Sequence, residues 1–336
     1  MKNRYEVPDY LQMFFSTYLY QQRGLSSNTI SAYSYSLLLF LNYYQNSMGI
    51  RPDKITFSDI NKESVIGFCD WIENTKKCSV STRNQRLTAI HALFRYIQGE
   101  TPVHLSLCRD ILSIKLKKCK KEPPHYLSVD AIKSILSSPN PNTKEGLREL
   151  AVIALLYDSA IRVQELIDLK LGDTFIKTPA TVKVLGKGNR TRIVPISKAT
   201  AKIIKLYIKK YNINDAGEIL FFNRSGNTLT RMGVNYILNK HIRLVELENS
   251  DLITIKVTPH ILRHSKATHL LADGVNLIYI RDLLGHTSIT TTEIYATSNP
   301  EFLRRAIEKS SILIEDQKIS TSKKQELAEF LKSYCI

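Results

Sequence analysis

The chain has 336 residues, 43% hydrophobic and 23% charged, which is typical of a globular protein with two domains and excludes a fibrous or disordered chain. Lysine and arginine total 47 against 31 acidic residues, and this formal charge of +16 predicts a polyanionic partner such as nucleic acid or an anionic membrane surface. No apolar run reaches the ~20 residues that span a bilayer, and the first residues lack the apolar core of a secretory signal, so we expect a cytoplasmic protein.

The first part of the chain predicts helices throughout. Two helical patterns run from Pro8 to Tyr44 and are separated at Gly24, with Ser27 or Asn28 available to cap the second helix. A third pattern lies in NKESVIGFCDWIEN, where apolar residues recur at helical spacing. An all-α domain is therefore expected here.

The fourth pattern, STRNQRLTAIHALFRYIQ, carries its apolar residues on one stripe. Arg83 and Arg86 are one turn apart and are predicted to lie on the other side of this helix. A short helix from Leu105 to Ile114 leads into KLKKCKKEPP, where five lysines precede a Pro-Pro break. This basic segment is predicted to be an interdomain linker.

The second part of the chain is mostly helical, with one change of pattern. Helical periodicity occupies residues 127–138, 147–170, 198–211, 231–245, 258–274 and 276–288. In contrast, TVKVLGKGNRTRIVPIS alternates apolar and polar residues around a turn at Gly186 to Asn189, which predicts a β-hairpin. The whole chain is therefore predicted to be mainly α with a small antiparallel β-sheet.

Basic and imidazole side chains are concentrated in TPHILRHSKATHLL. His260 and Arg263 are three residues apart, so on a helix both could reach one phosphate. His260 and His264 are four apart, as in the H-E-x-x-H zinc helix, but the glutamate of that motif is absent, and Arg263 and Lys266 would repel a dication. We therefore expect no metal and no cofactor.

The hairpin sequence LGKGNRT places Lys187 at a tight turn. It is not a Walker-type phosphate loop, because residue 181 is threonine where the first glycine is required and glycine follows Lys187 where serine or threonine is required. A solvated turn lysine is one interpretation, and a functional lysine is the other. The functional interpretation needs charged neighbours.

Arg162 and Glu165 lie three apart in SAIRVQELIDLK. They could form a surface ion pair on a helix, worth about 0.5 kcal/mol. Ile161 and Val163 flank Arg162, however, which indicates partial enclosure, and an enclosed arginine usually binds an anion.

The segment LLGHTSITTTEIYAT contains the last candidates. Gly285 is predicted to end a helix, and His286 follows it directly. Tyr295 comes shortly before a further helix that is predicted to begin at Asn299 and Pro300. The tyrosine therefore sits close to a helix break, where a side chain can move.

Six of these residues occur in a fixed order: Arg162, Lys187, His260, Arg263, His286 and Tyr295. That order resembles the tyrosine recombinases, the integrase family that includes the Xer proteins. The motifs H-I-L-R-H-S-x-A-T-H-L-L and L-L-G-H-x-S-I-x-T-T-x-x-Y carry the resemblance, which is strong over residues 126–303 and looser over residues 8–115.

The resemblance implies three ligands for the scissile phosphate: Arg162, Arg263 and His286. Glu165 matches a supporting position that braces Arg162. Lys266 departs from the family pattern, which commonly has an aromatic or apolar residue at that position, and this departure puts the local packing in question.

The resemblance also implies how protons move. Tyr295 would be the nucleophile, His260 would assist its deprotonation, and Lys187 would protonate the leaving 5′ oxygen. This agrees with general chemistry, since a tyrosine of pKa about 10 needs a base and a leaving alkoxide needs an acid.

The implied fold is a two-domain C-shaped DNA clamp. It would comprise a helical, SAM-like core-binding domain at 1–114, a basic linker at 115–125, a catalytic domain at 126–311 and a C-terminal tail helix at 312–336 that docks in cis or in trans. The lysines of the basic linker, Lys117, Lys118, Lys120 and Lys121 with Lys115 beside them, are predicted to contact DNA phosphates. Arg83 and Arg86 lie on the helix that resembles the family's groove-facing one and are also predicted to bind DNA, and a solvated helix face is the other interpretation of these two arginines.

The implied activity is site-specific DNA recombination. Duplex DNA would be cut and rejoined through a 3′-phosphotyrosine and a Holliday junction, within a homotetramer on double-stranded DNA, for integration, excision or transposition of a mobile element or for Xer-like resolution. A type IB topoisomerase-like enzyme would use the same residues as a monomer, and a non-catalytic DNA-binding module would also be basic and helical. The pattern specifies neither the recombination site nor an accessory protein.

Overall fold

A computed structural model describes residues 5–119, 124–186, 190–286, 288 and 291–293. The chain divides into two compact units, residues 1–121 and 122–336. Within the described residues, no helix is both long and apolar enough to cross a membrane.

The first unit is all-helical. Its α-helices are α1 Val7–Met13, α2 Ser27–Tyr43, α3 Lys62–Asn74, α4 Val80–Glu100 and α5 Leu105–Leu112. The helices α1 and α2 continue as π-helical segments over Phe14–Gln22 and Tyr44–Met48, and a 3₁₀ turn covers Pro52–Lys54.

Polar caps fix where these helices begin. Ser26 caps α2 by accepting from Thr29 N, so the cap lies one residue before the predicted candidates. Asn61 and Ser64 form a reciprocal capping box on α3, and Ser79 caps α4. Gly24, with φ +53°, provides the turn between the first two helices as predicted.

The predicted position of Arg83 on α4 is wrong. Arg83 is only 4% exposed, and its Nη1 donates to Asn84 Oδ1 at 3.1 Å and to Lys115 O at 3.5 Å. The chain after α5 returns across α4 and covers this side of the helix, which the periodicity of α4 alone does not reveal. Arg86 is half-buried, with its guanidinium 4.8 Å from the centre of the Tyr35 ring.

The start of the predicted linker is attached to the first unit. Asn84 binds the backbone of Lys117 twice, accepting from its N at 3.1 Å and donating to its O at 2.8 Å. The Lys117 ammonium also forms an ion pair with Glu73. Lys115 and Lys118 are exposed, whereas Lys120 and Lys121 lie outside the described residues.

The second unit combines helices with a three-stranded antiparallel sheet. Its strands are β1 Thr174–Phe175, β2 Thr181–Leu185 and β3 Thr191–Pro195, in the order β1-β2-β3. Its helices are α6 Val129–Ser137, α7 Lys144–Ser159, α8 Val163–Ile167, α9 Lys198–Tyr211, α10 Arg231–Glu248, α11 Pro259–Ala272 and α12 Leu277–Leu284, with a 3₁₀ turn at Leu171–Asp173. The predicted mainly α fold with a small antiparallel sheet is confirmed.

The long helical pattern over residues 147–170 is two helices. Ala160 has a left-handed φ of +50° and ends α7, and Arg162 is the N-cap of α8. Ala160 and Ile161, which lie in this break, are buried. Arg162 and Glu165 therefore meet at the start of a helix rather than along its surface.

The hairpin packs one side onto the core. Val182 and Val184 of β2 and Val194 of β3 are buried, because inward and outward side chains alternate along each strand. Gly186 N donates to Arg190 O at 2.8 Å and holds the two strand ends together. Lys187 lies outside the described residues.

The helices α11 and α12 are the last helices of the second unit within the residues that the structure describes. Gly285 follows α12 with a left-handed φ of +62°, confirming that it ends the helix. Lys266 on α11 is accommodated by Asp158, whose Oδ1 is 3.2 Å from the lysine Nζ, and by the Tyr157 ring. The helix predicted at Asn299 lies outside the described residues.

Candidate active site

Arg162 is held at the start of α8 by Glu165. Its Nη1 donates to Glu165 Oε1 at 2.9 Å, and its backbone N donates to Oε2 at 2.7 Å. Nη2 also donates to Gly285 O at 3.4 Å. The side chain is still 39% exposed, so its charge can reach a bound anion.

Arg263 points from α11 into the protein and is 2% exposed. Its Nη1 donates to Ala160 O at 2.6 Å, and its Nη2 donates to Leu284 O. These carbonyls belong to the break before α8 and to the last residue of α12. The guanidinium therefore joins the segments that carry Arg162 and His286, and its orientation is fixed by both.

His260 and His264 stand one turn apart on α11, with ring centres 4.2 Å apart in an edge-to-face arrangement. Desolvation, followed by the charges of Arg263 and Arg162, lowers the pKa of His260. Burial and then the neighbouring His260 lower the pKa of His264 to about 4. Both rings are therefore neutral at pH 7.

His286 follows Gly285 and is half-buried. Its Nδ1 lies 3.1 Å from the hydroxyl of the buried Thr292. Burial, followed by the charges of Arg263 and Arg162, lowers its pKa to about 4. The ring is neutral, so it can offer a hydrogen bond but not a charge.

The structure brings four of the six predicted residues together. Arg162 and Arg263 act electrostatically on both His260 and His286, and their helices meet through the carbonyls described above. Two fixed cations beside neutral imidazoles suit an anion. Within the described part of the chain, no group of three or more His, Cys, Asp or Glu side chains is placed to hold a metal ion.

The other two predicted residues, Lys187 and Tyr295, lie outside the described residues. Lys187 follows Gly186 at the end of β2, and Tyr295 comes two residues after Glu293. The roles of all six residues stay predictions.

Sequence reasoning missed Arg192 on β3. Its Nη1 and Nη2 donate to Glu165 Oε1 and Oε2 at 2.9 and 2.8 Å, and its Nε donates to Leu283 O at 3.1 Å. The signal was present, because Arg192 is two residues before the buried Val194 and so lies on the inward side of the strand. A charged residue at an inward strand position requires a partner.

Comparison with known proteins matches two family profiles to this chain. The profile of the phage integrase family covers residues 125–301, and that of the phage integrase N-terminal SAM-like domain covers residues 11–102. The chain belongs to the phage integrase family. Its members are the tyrosine recombinases, which confirms the predicted resemblance.

Proteins that are similar to most of this chain are also recombinases. A putative integrase/recombinase y4rC of Sinorhizobium fredii is 34% identical over 90% of this chain and 90% of its own. Tyrosine recombinase XerD of Listeria monocytogenes is 31% identical over 84% of this chain and 91% of its own. This recombinase is therefore an enzyme of site-specific DNA recombination that cleaves and rejoins DNA.

Solved structures show the same fold at low sequence identity. XerH site-specific recombinase bound to difH substrate has a TM-score of 0.65 and 23% identity, covering 82% of this chain and 78% of its own. The Tn1549 transposon integrase in complex with transposon right end DNA has a TM-score of 0.68 and 16% identity, covering 89% and 98%.

Proposed function

We propose that this recombinase cuts one strand of double-stranded DNA by attack of Tyr295 on a phosphodiester. The tyrosine oxygen forms a bond to phosphorus while the bond from phosphorus to the 5′ oxygen breaks, which leaves a 3′-phosphotyrosine. The energy of the broken bond is kept in this intermediate. Rejoining by a 5′ hydroxyl therefore needs no ATP.

The convergence of Arg162, Arg263, His260 and His286 is the observation that carries the proposal. Negative charge builds up on the nonbridging oxygens as the phosphodiester reacts, and donors held in place beforehand stabilise it most. Arg263 is fixed by two carbonyls, and Arg162 is braced by Glu165 yet accessible. Both therefore fit the role of phosphate ligands, with His286 adding a neutral hydrogen bond.

Proton transfer is assigned to two residues of different character. The pKa of His260 is lowered, so the ring is unprotonated at pH 7 and able to accept the proton of Tyr295. Lys187 is the acid for the leaving 5′ oxygen, as the family pattern implies.

The biological reaction we propose is pairwise strand exchange through a Holliday junction, within a homotetramer on two DNA sites. The task would be integration or excision of a mobile element, or Xer-like resolution. Support comes from the names of the relatives, an integrase/recombinase and tyrosine recombinases, which favour recombination over a topoisomerase-like reaction. The two reactions are distinguished by whether the protein joins two DNA sites, because a monomeric topoisomerase does not.

The nucleophile is tested with Tyr295→Phe. The probe is a duplex that contains the binding site, selected from the DNA flanking the gene, with a nick that lets the cut strand diffuse away. We expect binding within about 2-fold of the unmodified protein, because a single hydroxyl contributes little to a large DNA interface, and no covalent adduct on a denaturing gel.

Tyr279→Phe is the matched control. Tyr279 is 70% exposed on α12, in the same unit, and this variant should form adduct normally. Adduct of normal yield from Tyr295→Phe would place the nucleophile at another tyrosine.

A further inference from the structure

Arg192 joins three segments that approach the candidate active site. It lies on β3, binds both carboxylate oxygens of Glu165 at the start of α8, and donates to Leu283 O near the end of α12. Its side chain is 14% exposed, so the contacts are largely shielded from water. This arrangement differs from that of Arg162, which is open to solvent.

Two glycines allow the Arg192 guanidinium to lie where it does. A Cβ at Gly285 would be 3.0 Å from Arg192 Nη1, and a Cβ at Gly186 would be 3.3 Å from the same atom. Gly285 precedes His286 in the chain, and Gly186 precedes Lys187. The backbone on both sides of the guanidinium therefore leads directly into candidate catalytic residues.

The charges around Glu165 give Arg192 a second effect. The carboxylate of Glu165 is 5% exposed and lies between two guanidiniums, 2.9 Å from Arg162 and 2.8 Å from Arg192. With one cation, Glu165 would neutralise Arg162. With two cations, the group keeps one positive charge, on the side where Arg162 is accessible.

We propose that Arg192 is a positioning residue for the recombination reaction. Arg192 neutralises Glu165, so that Arg162 keeps its charge for the scissile phosphate, and it also connects β3 to the end of α12. This inference rests on the proposed function of Arg162. Arg192 does not touch DNA in it. Its effect is exerted through Glu165 and through the backbone beside Gly285.

The charge argument is tested with three variants: R192Q, E165Q and the double variant R192Q/E165Q. The measured quantities are the rate of adduct formation at saturating DNA and the Kd for the same duplex. R192Q should slow adduct formation by about 100-fold, the size of effect seen when one donor to a reacting oxyanion is lost, with Kd within about 3-fold of the unmodified value because many other phosphate contacts remain.

The double variant separates charge from packing. It removes one positive and one negative charge, so Arg162 regains an uncompensated charge, and adduct formation should be at least about 10-fold faster than in R192Q. A purely structural role predicts the opposite, because two buried partners are then missing. A double variant no faster than R192Q overturns the proposal.

Lys240→Gln is the control for loss of a cation from a buried carboxylate, although the Lys240 side chain is 40% exposed and that of Arg192 is 14% exposed. Glu149 is buried like Glu165 and binds two partners, Lys240 at 2.7 Å and His241 at 2.8 Å, and neither partner is a candidate catalytic residue. This variant should form adduct at the unmodified rate. A slowing equal to that of R192Q would assign the effect to general destabilisation and overturn the proposal.

If R192Q does not fold, R192K takes its place, because lysine keeps the positive charge but cannot bind both carboxylate oxygens of Glu165 as arginine does. R192K should form adduct at a rate within about 10-fold of the unmodified rate. A folded R192K that is more than about 100-fold slower would contradict the charge argument. Adduct from the unmodified protein with an unaffected R192Q overturns only the role of Arg192. No adduct from the unmodified protein overturns the proposed function and, with it, this inference.

Discussion

The neutral histidines of the candidate active site make the stability of the folded protein depend on pH. The pKa values of His264 and His286 are about 4 in the folded protein, whereas a histidine in an unfolded chain titrates near 6.5. Between these values the unfolded chain binds protons that the folded protein does not. Acid therefore favours unfolding over this range.

We expect the free energy of unfolding to fall as the pH is lowered from 6.5 towards 4 and to level off below 4, where both states are protonated. Each such histidine adds a slope of at most about 1.4 kcal/mol per pH unit. His264→Asn should make the decrease shallower, and urea titrations from pH 8 to 4 measure it. At pH 8 His264 is unprotonated in both the folded and the unfolded state, so the difference between the variant and the unmodified protein at this pH measures effects of the substitution other than protonation. If that difference is the same at every pH, His264 is not a source of the pH dependence.

Residue types at the site were predictable where spacing along one element brings them together. His260 and Arg263 are three residues apart in the chain, and so are Arg162 and Glu165. Arg192 is different, because its partners Glu165 and Leu283 come from other elements. Helical spacing cannot reveal such contacts, although an inward-facing charge on a strand indicates that one exists.

Elements were predictable from periodicity because most helices here have one apolar face. The helix predicted over residues 198–211 coincides with Lys198–Tyr211, and the hairpin has its predicted strands. The break at Ala160 was not predictable, since alanine favours helix and has no tendency to the left-handed conformation that it adopts. Arg263 stabilises this conformation by donating a hydrogen bond to the carbonyl oxygen of Ala160. The two residues are far apart in the sequence, so local patterns could not reveal the contact.

At the level of α4 and the basic segment after α5, DNA affinity should depend on salt. Each lysine that contacts a phosphate contributes about 1 to the slope of log affinity against log salt concentration. Replacing Lys115 and Lys118 by glutamine should lower the slope by about 2 without changing the preferred site. Filter binding from 50 to 300 mM salt measures it, and an unchanged slope would mean that these lysines are only solvated.

Arg86 and Arg83 form a matched pair for the same measurement. Arg86→Gln should lower the slope by at most about 1, because Arg86 is only half-buried and its charge is more accessible to a phosphate than that of Arg83, although its guanidinium also contacts Ser36 and the Tyr35 ring. Arg83→Gln should instead lower the stability of the first unit and leave the slope unchanged, because Arg83 is buried against Lys115. A lowered slope for Arg83→Gln would return Arg83 to the set of DNA-contacting residues.

At the scale of the whole molecule, the formal charge of +16 suits a protein that binds an extended polyanion. The homotetramer that we propose places several such chains on DNA, and pairwise exchange requires that only some of its tyrosines react at one time. A segment exchanged between protomers could impose this order, because a docked segment reports the state of the neighbouring site.

The tail sequence SKKQELAEFLKSYCI is our candidate for that segment, and it lies outside the described residues. A helix beginning near Ser322 would align Leu327, Phe330, Leu331 and Tyr334, and a helix this short needs a surface to pack on. Deletion of residues 322–336 should leave DNA binding by a monomer nearly unchanged, within about 3-fold, while weakening tetramer assembly in sedimentation on DNA and disturbing cleavage. Normal assembly and recombination by the truncated protein would exclude the tail as an assembly device. Unfolding of the truncated protein would instead show that the apolar stripe packs on its own catalytic domain, in cis.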